Sequence, residues 1–309
     1  RTPPPGGRGQ ATSRGGAASS TDGSVDLTWT APSVNGSAIT GYTVQARPKG
    51  TGSFATVSDT DGSSTDTQAT IAGLDSCTAY DFQVFASNVN GAGTVSSTAT
   101  VTAFGATGLT AYSDSSFTLA GDATDASGTL TLTPASSTQA GAVWANTRVD
   151  LTESFCVSAD VKLSATASTG GADGVAFVLQ PSDTSSLSSG GGLGYYSTVK
   201  PSLAVEFDTY ANGSGRGDSA SGQDITLVTL QANGTADWTA FGQNNYDVTT
   251  NSYSLEDGNF HAARFRFDAD QELFTVMFDL NADGDFADTG EVVVNEISAD
   301  LAAFFTTEA

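Results

Sequence analysis

The chain has 309 residues, with 34 acidic against 11 basic side chains and a net charge of −23. A polyanion of this kind repels nucleic acid and anionic membranes, and no stretch approaches the roughly 18 consecutive apolar residues of a membrane-spanning helix, so neither a nucleic-acid partner nor membrane insertion is expected. The length suits about two domains, and the richness in Gly, Ser, Thr, Ala and Asp between short Val/Thr/Phe/Tyr segments reads as all-β.

Residues 1–20 carry three of the basic residues and no acid, in PPPGG, RGQ and RGG pieces. This is linker composition, read as a flexible arm that is ordered only where something docks it. Residues 21–104 form the first predicted domain. SVDLTWT (24–30) alternates Val25, Leu27 and Trp29 toward one face, and GYTVQAR (41–47) and YDFQVFAS (80–87) do the same, with Gly/Asn/Asp/Ser turns between them. Leu74 and Tyr80 bracket LDSCTAY, and NVNGAG (88–93) follows. As a set these features resemble a fibronectin type III domain. The resemblance implies a sandwich with Trp29 in its core, a tyrosine corner at Tyr80 and a spacer role.

Residues 105–309 read as one larger β-sandwich. FCVSADVKL (155–163), GVAFVLQ (174–180), SLAVEFDTY (202–210), DITLVTLQ (224–231), HAARFRFD (261–268) and LFTVMFDL (273–280) supply successive strands, many of them apolar on both faces, as expected for strands covered on two sides. A short helical stretch is expected near 298–305. The run AVEFDTYAN (204–212) sets Glu206, Asp208 and Tyr210 two residues apart, so on a strand they share one face, with Asn212 following on the loop. Hard oxygen ligands at this spacing suit Ca²⁺. With ADGVAFVLQ (172–180), GGGLGYY (190–196) and the opening GTLTLTPASSTQAGAVWAN (128–146), the segment resembles the legume (L-type) lectins.

That resemblance implies a concanavalin-like jelly-roll sandwich in which a metal site underlies a sugar site. Asp208, the carbonyl of Tyr210, Asn212 and an acid on the next loop, Asp218, would bind Ca²⁺. Glu206 would serve a second, transition-metal site, which family members complete with a His just before the next strand. Here that position is Asp224, a harder ligand less suited to transition ions, so the second site either takes calcium as well or is lost. For the sugar, Asp173 would accept hydrogen bonds from two hydroxyls after a cis Ala172–Asp173 peptide. Gly192 would donate its backbone N–H, Asn212 its amide, and the Tyr210 ring would stack on a pyranose face. Lectins of this type continue past a motif like DLAAFF (300–305) with one more core strand and a sugar-contacting loop, which implies that both lie outside this chain. With neither initiator Met nor signal peptide, the chain reads as a piece of a longer protein.

A second metal signal is independent of the lectin match. DLNADGDFADTGE (279–291) puts Asp279, Asn281 and Asp283 at positions 1, 3 and 5 of an EF-hand-type loop, with Gly284 at 6. Gly290 stands at position 12, so Asp288 or Glu291 would complete a calcium-clamped hairpin. Cys77 and Cys156 fall in different predicted domains and are either bridged or two buried thiols. Arg216-Gly217-Asp218 lies inside the calcium loop, where Asp218 is occupied, so integrin-type adhesion is not expected of it. Asn35, Asn212 and Asn233 begin N-x-Ser/Thr sequons. His261 leads a strand without a nucleophile nearby and reads as structural.

Family 16-like glucanases use carboxylates at i, i+2 and i+5 of one strand. Here these positions are Glu206, Asp208 and Ala211, so one catalytic carboxylate is missing and no enzyme activity is expected. The sequence reads as a calcium-dependent, carbohydrate-binding module of an extracellular or cell-surface adhesin, its partner a cell-surface or matrix polysaccharide. The alternative is a structural subunit of a surface stalk or filament, in which the lectin-like domain mediates assembly and the termini support self-association.

Overall fold

The computed structural model describes residues 13–15, 24–33, 37–50, 52–60, 65–74, 77–102, 117–126, 129–163, 171–181, 185, 187–213, 219–242, 245–269, 271–284, 286 and 288–308. It divides into two compact units, Arg1–Leu109 and Thr110–Ala309.

The first unit holds β1 (Ser13–Gly15), β2 (Val25–Trp29), β3 (Gly41–Pro48), β4 (Ala55–Thr56), β5 (Gln68–Ile71), β6 (Ala79–Asn88), β7 (Gly91–Ala92) and β8 (Ala99–Thr102). They make two antiparallel sheets, β1-β2-β5 and β4-β3-β6-β7, with β8 also on β6. Alternation on β2 turns Val25, Leu27 and Trp29 inward against Val44, Ala46, Ile71, Phe82 and Val84, with Trp29 edge-on to Tyr42 at 5.3 Å. Tyr80 packs on the same core. Part of the segment read as a flexible arm is sheet: Ser13, Arg14 and Gly15 pair with Trp29, Thr28 and Leu27.

Asp81 ties three elements of this unit together. Its carboxylate accepts from the Thr100 hydroxyl (2.8 Å) and the Gly50 N–H (3.2 Å), and pairs with the Arg47 guanidinium (3.2 Å). The Thr100 hydrogen bond first, then Gly50 and Arg47, hold its pKa below the ordinary carboxylate value against the opposing effect of burial. A carboxylate with a depressed folded pKa stabilises the fold above its unfolded pKa and loses that contribution as pH falls through the folded value. Asp81→Asn is therefore expected to cost about 1–3 kcal/mol at pH 7. In urea titrations of the full chain the gap between wild type and D81N should close as the pH drops below the carboxylate range; a gap that stays constant with pH would show that the charge is irrelevant.

The second unit holds β9 (Phe117–Gly121), β10 (Thr124–Ala126), β11 (Thr129–Thr131), β12 (Gly141–Ala145), β13 (Phe155–Val161), β14 (Gly174–Leu179), β15 (Ser202–Asp208), β16 (Asp224–Leu230), β17 (Ala236–Asp237), β18 (Tyr246–Asp247), β19 (His261–Asp268), β20 (Leu273–Phe278), β21 (Val292–Ser298) and α1 (Leu301–Glu308). One sheet runs β13-β19-β20-β21; the other runs β14-β15-β16-β17, with β18 also on β16, and two ribbons, β9-β12 and β10-β11, accompany them. Alternation decides the faces. On β15, Leu203, Val205 and Phe207 enter the core with Ile225 and Leu227 of β16 and Phe265, Phe274 and Phe278 of the opposite sheet. Phe177 of β14 stacks on Phe265 of β19 with centroids 3.9 Å apart, and Phe207 meets Phe278 at 5.0 Å, so aromatic rings bridge the sheets. The even residues of β15 face the other way: Ala204 packs with Tyr195 and Val199, and Glu206 and Asp208 follow on that face. The whole of β15 and β16 is buried, as their two-sided apolarity predicts.

Both cysteines, Cys77 and Cys156, are disulfide-bonded rather than free thiols. Among the described residues no helix is long and apolar enough to cross a membrane.

Candidate functional site

The site is built at the end of β15 and the turn before β14, which the register brings together: Gly174 lies opposite Asp208 and Ala176 opposite Glu206. The Ala172–Asp173 peptide is cis, as the lectin resemblance implies. Only glycine can follow it. Gly174 has φ +132°, and a Cβ there would fall 2.1 Å from the Phe207 carbonyl oxygen, so the ADG sequence lets the turn press against β15. The Asp173 carbonyl accepts from the Thr209 N–H at 2.9 Å. Glu256, from a loop 85 residues away, accepts the Gly171 N–H and pins the other side of the turn.

Asp208, buried, accepts from the Tyr210 N–H at 2.7 Å. Asn212 turns its amide nitrogen toward the Tyr210 carbonyl (3.0 Å) and the Asp173 carboxylate (3.4 Å). One amide thus links the Tyr210 carbonyl to the Asp173 carboxylate. The Tyr210 ring is 55 % exposed, unusual for a large aromatic beside a buried strand end and suited to stacking on a flat apolar surface.

The glycine-rich loop closes the third side. A Cβ on Gly191 would meet the Asn212 side chain at 2.4 Å, and one on Gly190 would stand 3.5 Å from Asp173 Oδ2. Gly192 is buried one step behind. Its N–H is directed to the Ser189 carbonyl at 3.4 Å, and its own carbonyl accepts from Tyr195 N–H, Tyr196 N–H and the Ser188 hydroxyl. The sequence GGG offers no way to tell which of its members abuts Asn212; the turn ends at Leu193, with φ +44°.

The donors near Asp208 fit a hard divalent cation. Asp208 and Asp224 stand directly opposite one another on β15 and β16, both buried, and Asp208 offers a hard carboxylate oxygen at the strand end. The Tyr210 carbonyl follows two residues after Asp208 and accepts from the Asn212 amide. Asp218, the fourth expected ligand, lies outside the described residues. Among the described residues no three His, Cys, Asp or Glu side chains converge on a common metal position.

The 279–291 hairpin keeps its acids to itself. Asp279 accepts from the N–H groups of Asp283 (3.2 Å) and Gly284 (2.9 Å). Glu291 accepts from Leu280 N–H and Asp288 N–H, each at 3.0 Å, and Asn281 donates to Asp283 and Asp288. Burial, ahead of these amides, raises the Glu291 pKa. Position 12 of the loop motif cannot carry an acid, because the Tyr246 hydroxyl fills the space a side chain on Gly290 would need. His261 bridges the Asp279 carbonyl (2.6 Å) and Asp257 (2.9 Å) and stacks on Phe278, a structural position.

A two-sheet sandwich with an acid-and-amide cluster beside a glycine loop is the arrangement of a carbohydrate-binding class of protein. The legume lectin β-barrel domain matches residues 110–307, and a fibronectin type III domain matches residues 14–102. The chain belongs to the legume lectin family, with a fibronectin type III domain preceding the lectin domain. Among solved structures it is similar to the metal-free form of lectin I-B4 from Griffonia simplicifolia, at 27% identity over 54% of this chain and 74% of that one, with a TM-score of 0.40. The first unit is similar to titin module A71 from human cardiac muscle, at 25% identity over 31% of this chain and 89% of that one, TM-score 0.26. It is also similar to the twitchin kinase region of C. elegans, at 27% identity, TM-score 0.27, covering 30% of this chain. The chain spans only 16% of that twitchin region and 30% of a titin A168–A170 fragment.

Proposed function

We propose that the chain is a calcium-dependent, non-catalytic sugar-binding module of an extracellular adhesin, in which the fibronectin type III unit is a spacer and the lectin unit holds one unit of a cell-surface or matrix glycan. The observation that carries this reading is the meeting of three separate segments at Asn212: its amide is 3.4 Å from Asp173, and Gly191 lies against its side chain. Asp173 is the acceptor for two sugar hydroxyls, Asn212 the donor, the Gly190–Gly191 backbone the open wall, and Tyr210 the ring platform. Calcium would be held by Asp208, the Tyr210 carbonyl, Asn212 and Asp218, and would fix the loop that carries Asn212. The same face argues against hydrolysis, because Glu206 and Asp208 are engaged by Tyr195 and by the Tyr210 N–H and the third position is Ala211. Shallow sites of this kind bind weakly and gain by multivalent display, which suits an adhesin.

The test is a glycan-array screen of the full chain in millimolar calcium and again with a chelator. Binding to a defined set of sugars that disappears with the chelator is expected. A folded chain that is silent in both conditions would move the role to assembly of a stalk or filament, and binding indifferent to the chelator would remove calcium from it.

A further inference from the structure

The lectin resemblance carries a second cation position beside the calcium, built on Glu206 and a histidine that this chain replaces with Asp224. The residues present do not fit a transition ion there. Glu206 lies opposite Thr226 as Asp208 lies opposite Asp224, so all four side chains leave the strands on the face away from the aromatic core. On that face the protein supplies its own donors. The Tyr195 hydroxyl donates to Glu206 Oε1 at 2.7 Å, with Tyr195 and Glu206 only 1 % and 5 % exposed. Asp224 accepts from the Ser219 N–H through Oδ2 (2.9 Å) and from the Thr226 hydroxyl through Oδ1 (3.0 Å). Transition ions at mixed sites favour imidazole or thiolate. The single histidine is occupied by Asp257 and Asp279, and both cysteines are in disulfide linkage.

The geometry points to a one-cation lectin face in which the Tyr195 phenol takes the place of the second ion. Its proton satisfies the buried Glu206 carboxylate, and only calcium is bound, at the Asp208 end. The substitution preserves a mechanical link. Tyr195 belongs to the glycine-rich loop: its N–H donates to the Gly192 carbonyl at 3.0 Å, and its ring meets Tyr196, which in turn packs on Trp238. The phenol–carboxylate bond therefore fastens the sugar-facing loop to β15, the strand that carries Asp208. A cation at Glu206 would have to break that bond. The inference rests on the calcium part of the proposed function and is independent of which sugar is bound.

The experiment compares wild type, Glu206→Gln and Tyr195→Phe as full-length chains. Each is stripped with chelator, dialysed into excess Ca²⁺ with added Mn²⁺, and measured for retained Mn²⁺ by electron paramagnetic resonance and metal analysis. Equal Mn²⁺ content in wild type and E206Q is expected, because no retained ion depends on Glu206. About one further equivalent in wild type than in E206Q would show a transition-ion site and overturn the inference. Y195F should melt several degrees below wild type, since it leaves a buried carboxylate oxygen short of its donor; an unchanged midpoint would equally count against the role given to Tyr195. A failure of the sugar reading looks different, because it appears as silence on the glycan array whatever the metal content.

Discussion

Asp173→Ala is expected to abolish measurable glycan binding while leaving the fold intact. Two hydrogen bonds from sugar hydroxyls to a carboxylate are worth roughly 1.5–3 kcal/mol each, so losing both should weaken binding about a hundredfold or more. The affinity of a single shallow site then falls below detection. The backbone should survive, because the turn is held by groups other than the Asp173 side chain: the Thr209 N–H on its carbonyl, Glu256 on the Gly171 N–H, and the close approach of Gly174 to Phe207. Asp173→Asn keeps the shape and one acceptor oxygen, and should lose about tenfold. Titration of each variant onto the best array sugar, alongside a thermal melt, separates the two effects. Undiminished binding by a folded D173A would place the glycan elsewhere on the molecule. Loss of binding with an unchanged melting point would also argue against the assembly reading, since a domain kept only for packing has no use for that carboxylate.

How far the site could be read in advance follows from how its parts interact. Strand 202–208 was legible because its odd residues enter an aromatic core while its even ones carry Glu206 and Asp208, a period-2 pattern that needs no tertiary knowledge. The ADG turn was legible only through the lectin resemblance, which implies the cis Ala172–Asp173 peptide that the structure has; by itself an Asp-Gly pair reads as an ordinary turn. Contacts between segments without a shared pattern were not. Glu256 reaches Gly171 across 85 residues and looks in sequence like one more surface acid. Tyr195 reads as part of an aromatic pair, and nothing in its neighbours says that its hydroxyl meets Glu206. Ser13–Gly15 pairs with β2 along the backbone, and ladder hydrogen bonds leave no signature in a Gly- and Arg-rich stretch. The helix at 301–308 begins three residues later than the stretch expected near 298–305, because Ala299 still hydrogen-bonds back to the Glu272 carbonyl at 2.7 Å, at the end where β20 and β21 pair.

The largest expected loss of stability is Phe265→Ala. Phe265 is 2 % exposed, stacks on Phe177 of the facing sheet at 3.9 Å and sits edge-on to Phe207 at 6.2 Å. Removing the ring deletes the transfer energy of a buried aromatic and leaves a cavity between two sheets whose strands cannot close on it, a cost of about 3–5 kcal/mol. For a unit of this size that corresponds to a fall of on the order of 10 °C in melting temperature. Phe260→Ala is the matched control: Phe260 is 56 % exposed and should change stability by less than about 0.5 kcal/mol. The loss should also reach the site. Phe207 lies between Glu206 and Asp208 on β15, so a cavity that lets it relax loosens both acids and the turn opposite them. Calcium should therefore restore part of the lost stability, since a ligand that binds only the folded form adds to it by mass action. The rise in melting temperature expected from the proposed calcium site should persist in F265A at a higher half-saturating concentration. Because the chain has two units, the melts are followed by calorimetry, where only the transition belonging to the lectin unit should move; a shift in both, or in neither, would contradict the placement of Phe265 at the centre of that one core.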